Sequence, residues 1–395
     1  MSISRKSIFW IHILTGAFLQ IRLELSNFDL LILVTGFDLI VPVLTVFALS
    51  AGWAKWPTNS FLFAICLVLA GLVTHSAVIY FLSDSVELGT LIKETLKLGT
   101  LVFLFASMVV LFSDKNFRLA SDQLVTGCLV VFSIPIVLIS IFEPFYIART
   151  SQAVGLLSMV FLLSCSKDWL ADRHRRLLLC ALACGVCLIC FLLKSKATAG
   201  AAAVFAIWFA MAPLFADRRG SILWTFGLLI LAVGSAATLI FFLADGITER
   251  FFHIDSVARS IDVRMRLWGV TLTALVENFP LGTGVGQLSS ILTEAKPLAG
   301  ENHRFPHNSV LGLGAELGAL GAVMIGTIAW CIYCGLKHWR WHTGLLFLAL
   351  LGPAFSFHDG HSVRMLVVVL ALGVAGYLCS RPDAITGRNG GDVDD

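Results

Sequence analysis

Four side chains have the types and spacing to do chemistry together: Lys196, Arg264, Arg266 and His307. Arg264 and Arg266 lie in "DVRMRLWGVTLTALVENFPLGTGVGQ", and His307 in "HRFPHNSVLGLGAELGALG". A guanidinium grips phosphate through paired donors and an ammonium acts as a point charge. Lys196 opens the small-residue run "KATAGAAAVFA". His307 stands just before a helix that Asn308 or Ser309 can cap. The partial positive charge of that helix start favours a nearby anion and a neutral imidazole. A neutral imidazole can take a proton from a hydroxyl; the plainer alternative is a histidine that only caps. Cations gathered beside a membrane suit a phosphate or pyrophosphate carried on a lipid.

Several neighbours support this group. Trp268 lies one turn from Arg264 on a helix that Pro280 ends. Gly282, Gly284 and Gly286 follow as a turn whose backbone N–H groups can face an anion, or which is simply a tight turn. Glu316 falls about two turns into an apolar segment, where a carboxylate costs about 2.5–3.5 kcal/mol and needs a partner. It reads either as a hydrogen-bonded clasp or as a participant in the chemistry. Gly312, Gly314, Gly318 and Gly321 leave that segment thin enough for close helix approach. His358, Asp359 and His361 form a polar hairpin rather than a metal cluster. The ten cysteines, including the stripe Cys180, Cys184, Cys187 and Cys190, read as small hydrophobes. No metal or other cofactor is expected.

The elements that must position these residues are set by composition. Of 395 residues 58% are hydrophobic and 13% charged, with mean hydropathy +0.89; soluble domains carry about 25% charge. The chain reads as an all-α polytopic membrane protein, and a net charge of +3 does not suggest nucleic acid. Stretches long enough to cross a bilayer predict twelve spans, near 7–21, 28–50, 60–81, 93–112, 123–142, 151–166, 177–193, 198–216, 221–243, 308–335, 342–357 and 363–380. The first resembles a secretory signal without a small-residue cleavage site and reads as a retained helix. The expected organisation is a bundle over 1–243, a loop with a surface helix over 244–307, three spans over 308–380 and a disordered tail over 381–395. In the loop Val263, Leu267, Val270, Leu272, Ala274 and Leu275 recur at helical spacing. With the N-terminus inside, 15 of the 28 basic residues fall at cytoplasmic ends, which puts the loop, the active site and its cations outside and both termini in the cytoplasm.

Taken together, "R-x-x-x-W…P-L-G-x-G-x-G" and "P-H-N-S-x-L…E-L-G-x-x-G", over about Arg264 to Gly321, resemble the signature of the O-antigen ligase and polymerase superfamily. The resemblance implies a metal-independent, GT-C-like glycosyltransferase of the bacterial inner membrane. Its donor would be a glycan on undecaprenyl diphosphate. Its acceptor would be lipid A–core in a ligase, or a second lipid-linked glycan in a polymerase of O-antigen or exopolysaccharide. Protein O-glycosylation and transport of the lipid-linked glycan are the remoter readings. Arg264 matches the family's donor-binding arginine and His307 the histidine that serves the acceptor. Ser195-Lys196 stands where the family commonly has serine and arginine, so the charge is kept and the fork is lost. Arg266 would assist. Glu316, Asn308, Trp268 and Gly284 would support.

Overall fold

The computed structural model describes residues 22–23, 34–35, 59–82, 86, 88–113, 155, 158–160, 162–163, 170, 172–192, 196–216, 254–294, 306, 308–339, 341–356 and 360–379. Nearly all of these are helical. The exception is an antiparallel pair of two-residue strands, β1 (Arg22–Leu23) and β2 (Val34–Thr35), with Arg22 opposite Thr35. β2 falls inside the span expected over 28–50, so that span is not helical at these two β-branched residues. The spans expected at 7–21, 123–142 and 221–243 lie outside the described residues, as does the tail.

Nine helices are described: α1 (Asn59–Leu82), α2 (Leu88–Ser113), α3 (Arg173–Leu192), α4 (Lys196–Ala216), α5 (Ile254–Glu277), α6 (Leu288–Glu294), α7 (Ser309–His338), α8 (Trp341–Ser356) and α9 (Gly360–Cys379). Among the described residues, three helices are long and apolar enough to cross a membrane, at Phe63–Leu82, Arg173–Phe191 and Ser309–His338. Shorter apolar helices lie at Thr198–Ala212, Thr343–Gly352 and Leu366–Leu378. α2 starts at Leu88 rather than near 93, which places Lys93, Glu94 and Lys97 inside a helix. α9 likewise begins at Gly360, so His361 sits in its first turn rather than on a hairpin loop, while His358 and Asp359 lie outside the described residues.

The main core is built by α2, α3, α4, α8, α9 and the C-terminal part of α7, around Phe205, Phe209 and Phe347. α3 and α4 form a hairpin in which Ala199, Ala201, Ala202 and Ala206 are buried, so small side chains let the two axes approach. α3 is started by Asp172, whose carboxylate accepts from the backbone N–H of His174 at 2.8 Å and of Arg175 at 3.4 Å. The backbone donors of Arg175 and His174 hold this exposed carboxyl below its ordinary value. The cysteines of α3 and α7 are unbridged; Cys190, Cys331 and Cys334 are buried, whereas Cys184 is exposed.

α5 is the amphipathic helix of the loop. Val263, Leu267, Thr271 and Ala274 are buried at helical spacing and pack with Leu288, Leu292 and Ala315. Leu272 was expected on that face, but it is exposed together with Met265 and Val276. At 100° per residue, Leu272 points away from the Leu267–Thr271 stripe. An apolar outward face of this kind suits a helix at a membrane surface.

α7 departs most from expectation. The span expected over 308–335 is broken at Gly318, which has φ 54° and ψ −121°. This conformation is open to glycine and strained for other residues. The carbonyl of Leu313 lies against Gly321, and Ile325 lies against Gly314. In a continuous helix, residues eight apart are about 12 Å distant along the axis. The arm from Ser309 to Leu317 therefore folds back on the start of the longer arm from Ala319 to His338.

Candidate active site

The site is assembled by α5 and the short arm of α7, which run side by side in the same direction. Three sets of contacts fix their register. At the first, the indole N–H of Trp268 donates to the Pro306 carbonyl at 2.8 Å. In the middle, Leu275 packs against Gly314. At the last, the turn after α5 is joined to the break in α7 by backbone hydrogen bonds.

The first contact brings the two halves of the sequence motif together. Arg264 lies one turn before Trp268 on α5. Pro306 is joined by one peptide bond to residue 307. Asn308 caps α7, and its Oδ1 accepts from the N–H groups of Val310 and Leu311, each at 3.1 Å. His307 itself lies outside the described residues. The two arginines differ. Arg266 is exposed and its Nε pairs with Asp262 at 3.0 Å. Arg264 is half-buried and has no ion pair among the described residues. Lys196 is the first residue of α4, and its side chain lies outside the described residues.

The last contact bears on the two readings of the glycine turn, N–H groups facing an anion or a plain tight turn. Gly282 N–H donates to Asn278 O at 2.7 Å, Thr283 N–H to Ala315 O at 2.9 Å and Gly284 N–H to Glu316 O at 3.0 Å. Ala319 N–H returns the favour to Pro280 O at 2.8 Å. The break at Gly318 frees the carbonyls of Ala315 and Glu316 from their helical partners, and the turn satisfies them, as buried backbone requires. The Glu316 carboxylate, half-buried, is faced by the backbone N–H groups of Gly286 and Leu288. The group that meets these donors is thus the chain's own Glu316 side chain. Gly282 and Gly284 have φ of 79° and 94°, and a Cβ on Gly282 would stand 2.6 Å from the Glu316 carbonyl oxygen.

These features have counterparts in the known protein world. Residues 178–326 match the family model described as O-antigen ligase. The match runs from α3 through α5 and the turn to the longer arm of α7. No curated protein matches, and no solved structure does. The matched segment holds the α5–α7 contacts named above, and the family it matches suggests glycosyl transfer of ligase or polymerase type.

Outside the matched segment, the α1–α2 pair supplies residues that the sequence motifs do not include. His75 of α1 is buried, and its Nε2 lies 2.6 Å from the Leu281 carbonyl. Ile79 packs on Gly284, while Thr90 and Glu94 pack on Gly286. Glu94 pairs with Lys97 at 2.6 Å, and both act electrostatically on Glu316. A histidine inside the apolar run 60–81 was the available signal, because polar groups in such runs require a partner. Two grooves flank α5 towards its C-terminal end, away from Arg264. One of about 420 Å³ is lined by Leu275, Val276, Phe279, Gly314, Gly318 and Ile325, among others. The other, of about 370 Å³, lies between Val270, Thr273, Asn278 and Ile291.

Proposed function

We propose that this protein is an inner-membrane glycosyltransferase, with its site on the periplasmic side, that moves a glycan from undecaprenyl diphosphate to lipid A–core. The Trp268–Pro306 hydrogen bond carries this reading. It holds the helix of Arg264 beside Pro306, the chain neighbour of the residue expected to serve the acceptor. In the proposed step an acceptor hydroxyl oxygen bonds to the sugar C1 as the bond from C1 to the phosphate oxygen breaks. The electron pair of that bond leaves with the diphosphate, and the hydroxyl proton passes to His307. Arg264 and Lys196 meet the negative charge as it grows on the leaving group, where fixed cations lower the barrier most. Arg266 assists at the rim. The apolar groove beside α5 is of a chemistry that suits the donor's prenyl chain. The whole chain would be a twelve-span, GT-C-like enzyme with cytoplasmic termini.

The test is reconstitution in proteoliposomes with a defined undecaprenyl-diphosphate-linked glycan. Lipid A–core and a second lipid-linked glycan are offered as rival acceptors. Glycosylated lipid A–core is the expected product. Lengthened lipid-linked glycan alone would make the protein a polymerase, and movement of donor without any product would make it a transporter. His307→Ala is expected to lower transfer by about 10²–10⁴-fold, the span of general-base catalysis, with donor binding retained. Full activity in that variant would overturn the mechanism.

A further inference from the structure

The glycine turn sits in a cradle made by residues outside the O-antigen ligase segment. α1 and α2 form this cradle and are joined by the hydroxyls of Ser76 and Thr95, 2.7 Å apart. Most of its contacts with the turn are apolar or stem contacts: Ile79 on Gly284, and the Glu94 and Thr90 stems on Gly286. Such contacts set a distance but no direction. One is directional. His75 Nε2 meets the Leu281 carbonyl at 2.6 Å, across 206 positions of sequence.

A carbonyl oxygen only accepts, so His75 Nε2 carries the hydrogen in this contact. His75 Nδ1 is buried with no hydrogen-bond partner among the described residues. Among the described residues the ring is therefore held by one bond, and that bond ends on the turn. Leu281 lies between Pro280, which accepts from Ala319 N–H, and Gly282, Thr283 and Gly284, whose N–H groups hold Asn278, Ala315 and Glu316. His75 thus grips the centre of the set of bonds that fixes the register of α5 against the short arm of α7.

We propose that His75 is a positioning residue for glycosyl transfer: through the Leu281 carbonyl it locks the glycine turn, and so the alignment of the Arg264 helix with Pro306 and the start of α7. The inference rests on the transfer reading above, and it adds a residue that the family match does not reach. His75 touches no substrate. Its loss lets α5 slip against the α7 arm, and small misplacements of reacting groups are costly in rate.

The test uses the full chain in lipid nanodiscs. His75→Leu keeps the volume and removes the donor. His75→Gln returns an N–H at a similar reach, and His75→Asn stops one methylene short. Two readouts are taken: hydrogen exchange of the amides of Thr283 and Gly284, and initial rates with varied undecaprenyl-diphosphate donor. In the Leu and Asn variants exchange is expected to quicken about tenfold, and kcat to fall about tenfold, as for loss of one buried hydrogen bond. Donor KM stays within about threefold, because the donor's own ligands remain. The Gln variant restores both readouts. Should the Leu variant not fold, the Gln and Asn pair gives the same comparison.

Unchanged exchange in the Leu and Asn variants would overturn the proposal. So would faster exchange with unchanged kcat, or an equal loss in the Gln and Asn variants, since then the donor N–H is not what matters. If the unmutated protein transfers nothing, the functional reading fails. In that case exchange alone decides whether His75 anchors the turn.

Discussion

The two ends of the α5–α7 contact use the same polar chemistry in opposite ways. At the glycine turn, three successive backbone donors are taken by the chain: Gly282, Thr283 and Gly284 hold the carbonyls of Asn278, Ala315 and Glu316. At the other end, one hydrogen bond from Trp268 holds Pro306, and the Arg264 guanidinium beside it has no ion pair among the described residues. A glycine-rich turn and an arginine both advertise anion binding in sequence. Among the described residues, the second has no ion pair. Consumed polar groups build a site's frame, and unconsumed ones are available for its chemistry.

The comparison can be broken or sharpened by substitution. The largest effect is expected at the frame. Gly318→Ala would force an L side chain into φ 54° and against the Pro280 carbonyl. This is expected to cost at least about 3 kcal/mol, seen as a lower thermal midpoint and loss of folded protein in detergent. A stable, active Gly318→Ala protein would mean that the break in α7 is not needed. Next comes Arg264→Ala, which should fold normally and lower kcat/KM for the donor by about 10²–10³-fold, the usual loss when one electrostatic stabiliser goes. Trp268→Phe removes a single N–H and keeps most of the ring. The Pro306 carbonyl left without it costs about 1–2 kcal/mol, so a fall of about tenfold in kcat is expected from steady-state rates. The smallest effect belongs to Arg266→Ala. Its guanidinium is already paired with Asp262 at the surface, where such pairs contribute little, and kcat/KM should change by less than about threefold. If Arg266→Ala were as damaging as Arg264→Ala, the contrast drawn from pairing would fail.

Much of the frame was legible in the sequence because apolar length and helical spacing are local. The helices near 60–81, 177–193, 198–216 and 342–357 follow from runs that a bilayer requires. The buried stripe of Val263, Leu267 and Ala274 follows from helical periodicity. Asn308 was one of two candidate caps, and its extended backbone, φ −150° and ψ 104°, makes it the cap. The break in α7 was not legible. "GLGAELGALG" reads equally as a thin, continuous helix, because glycine permits a reversal without demanding one. What demands it is the turn from 280 to 284, which supplies partners for the carbonyls that the break exposes. His75 was illegible as a partner for the same reason, since its acceptor lies 206 positions away.

The sequence by itself determined that this chain is a membrane protein and that Arg264 and His307 belong to one motif. These are matters of composition, charge and short-range spacing. Only the tertiary structure decided that the glycine turn closes on α7 rather than on a ligand, that Glu316 occupies the turn's donors, and that Arg264 rather than Arg266 keeps its charge unpaired among the described residues. The physical reason is that a donor or a charge can be spent once, and which group spends it depends on neighbours that the fold brings in from distant parts of the chain.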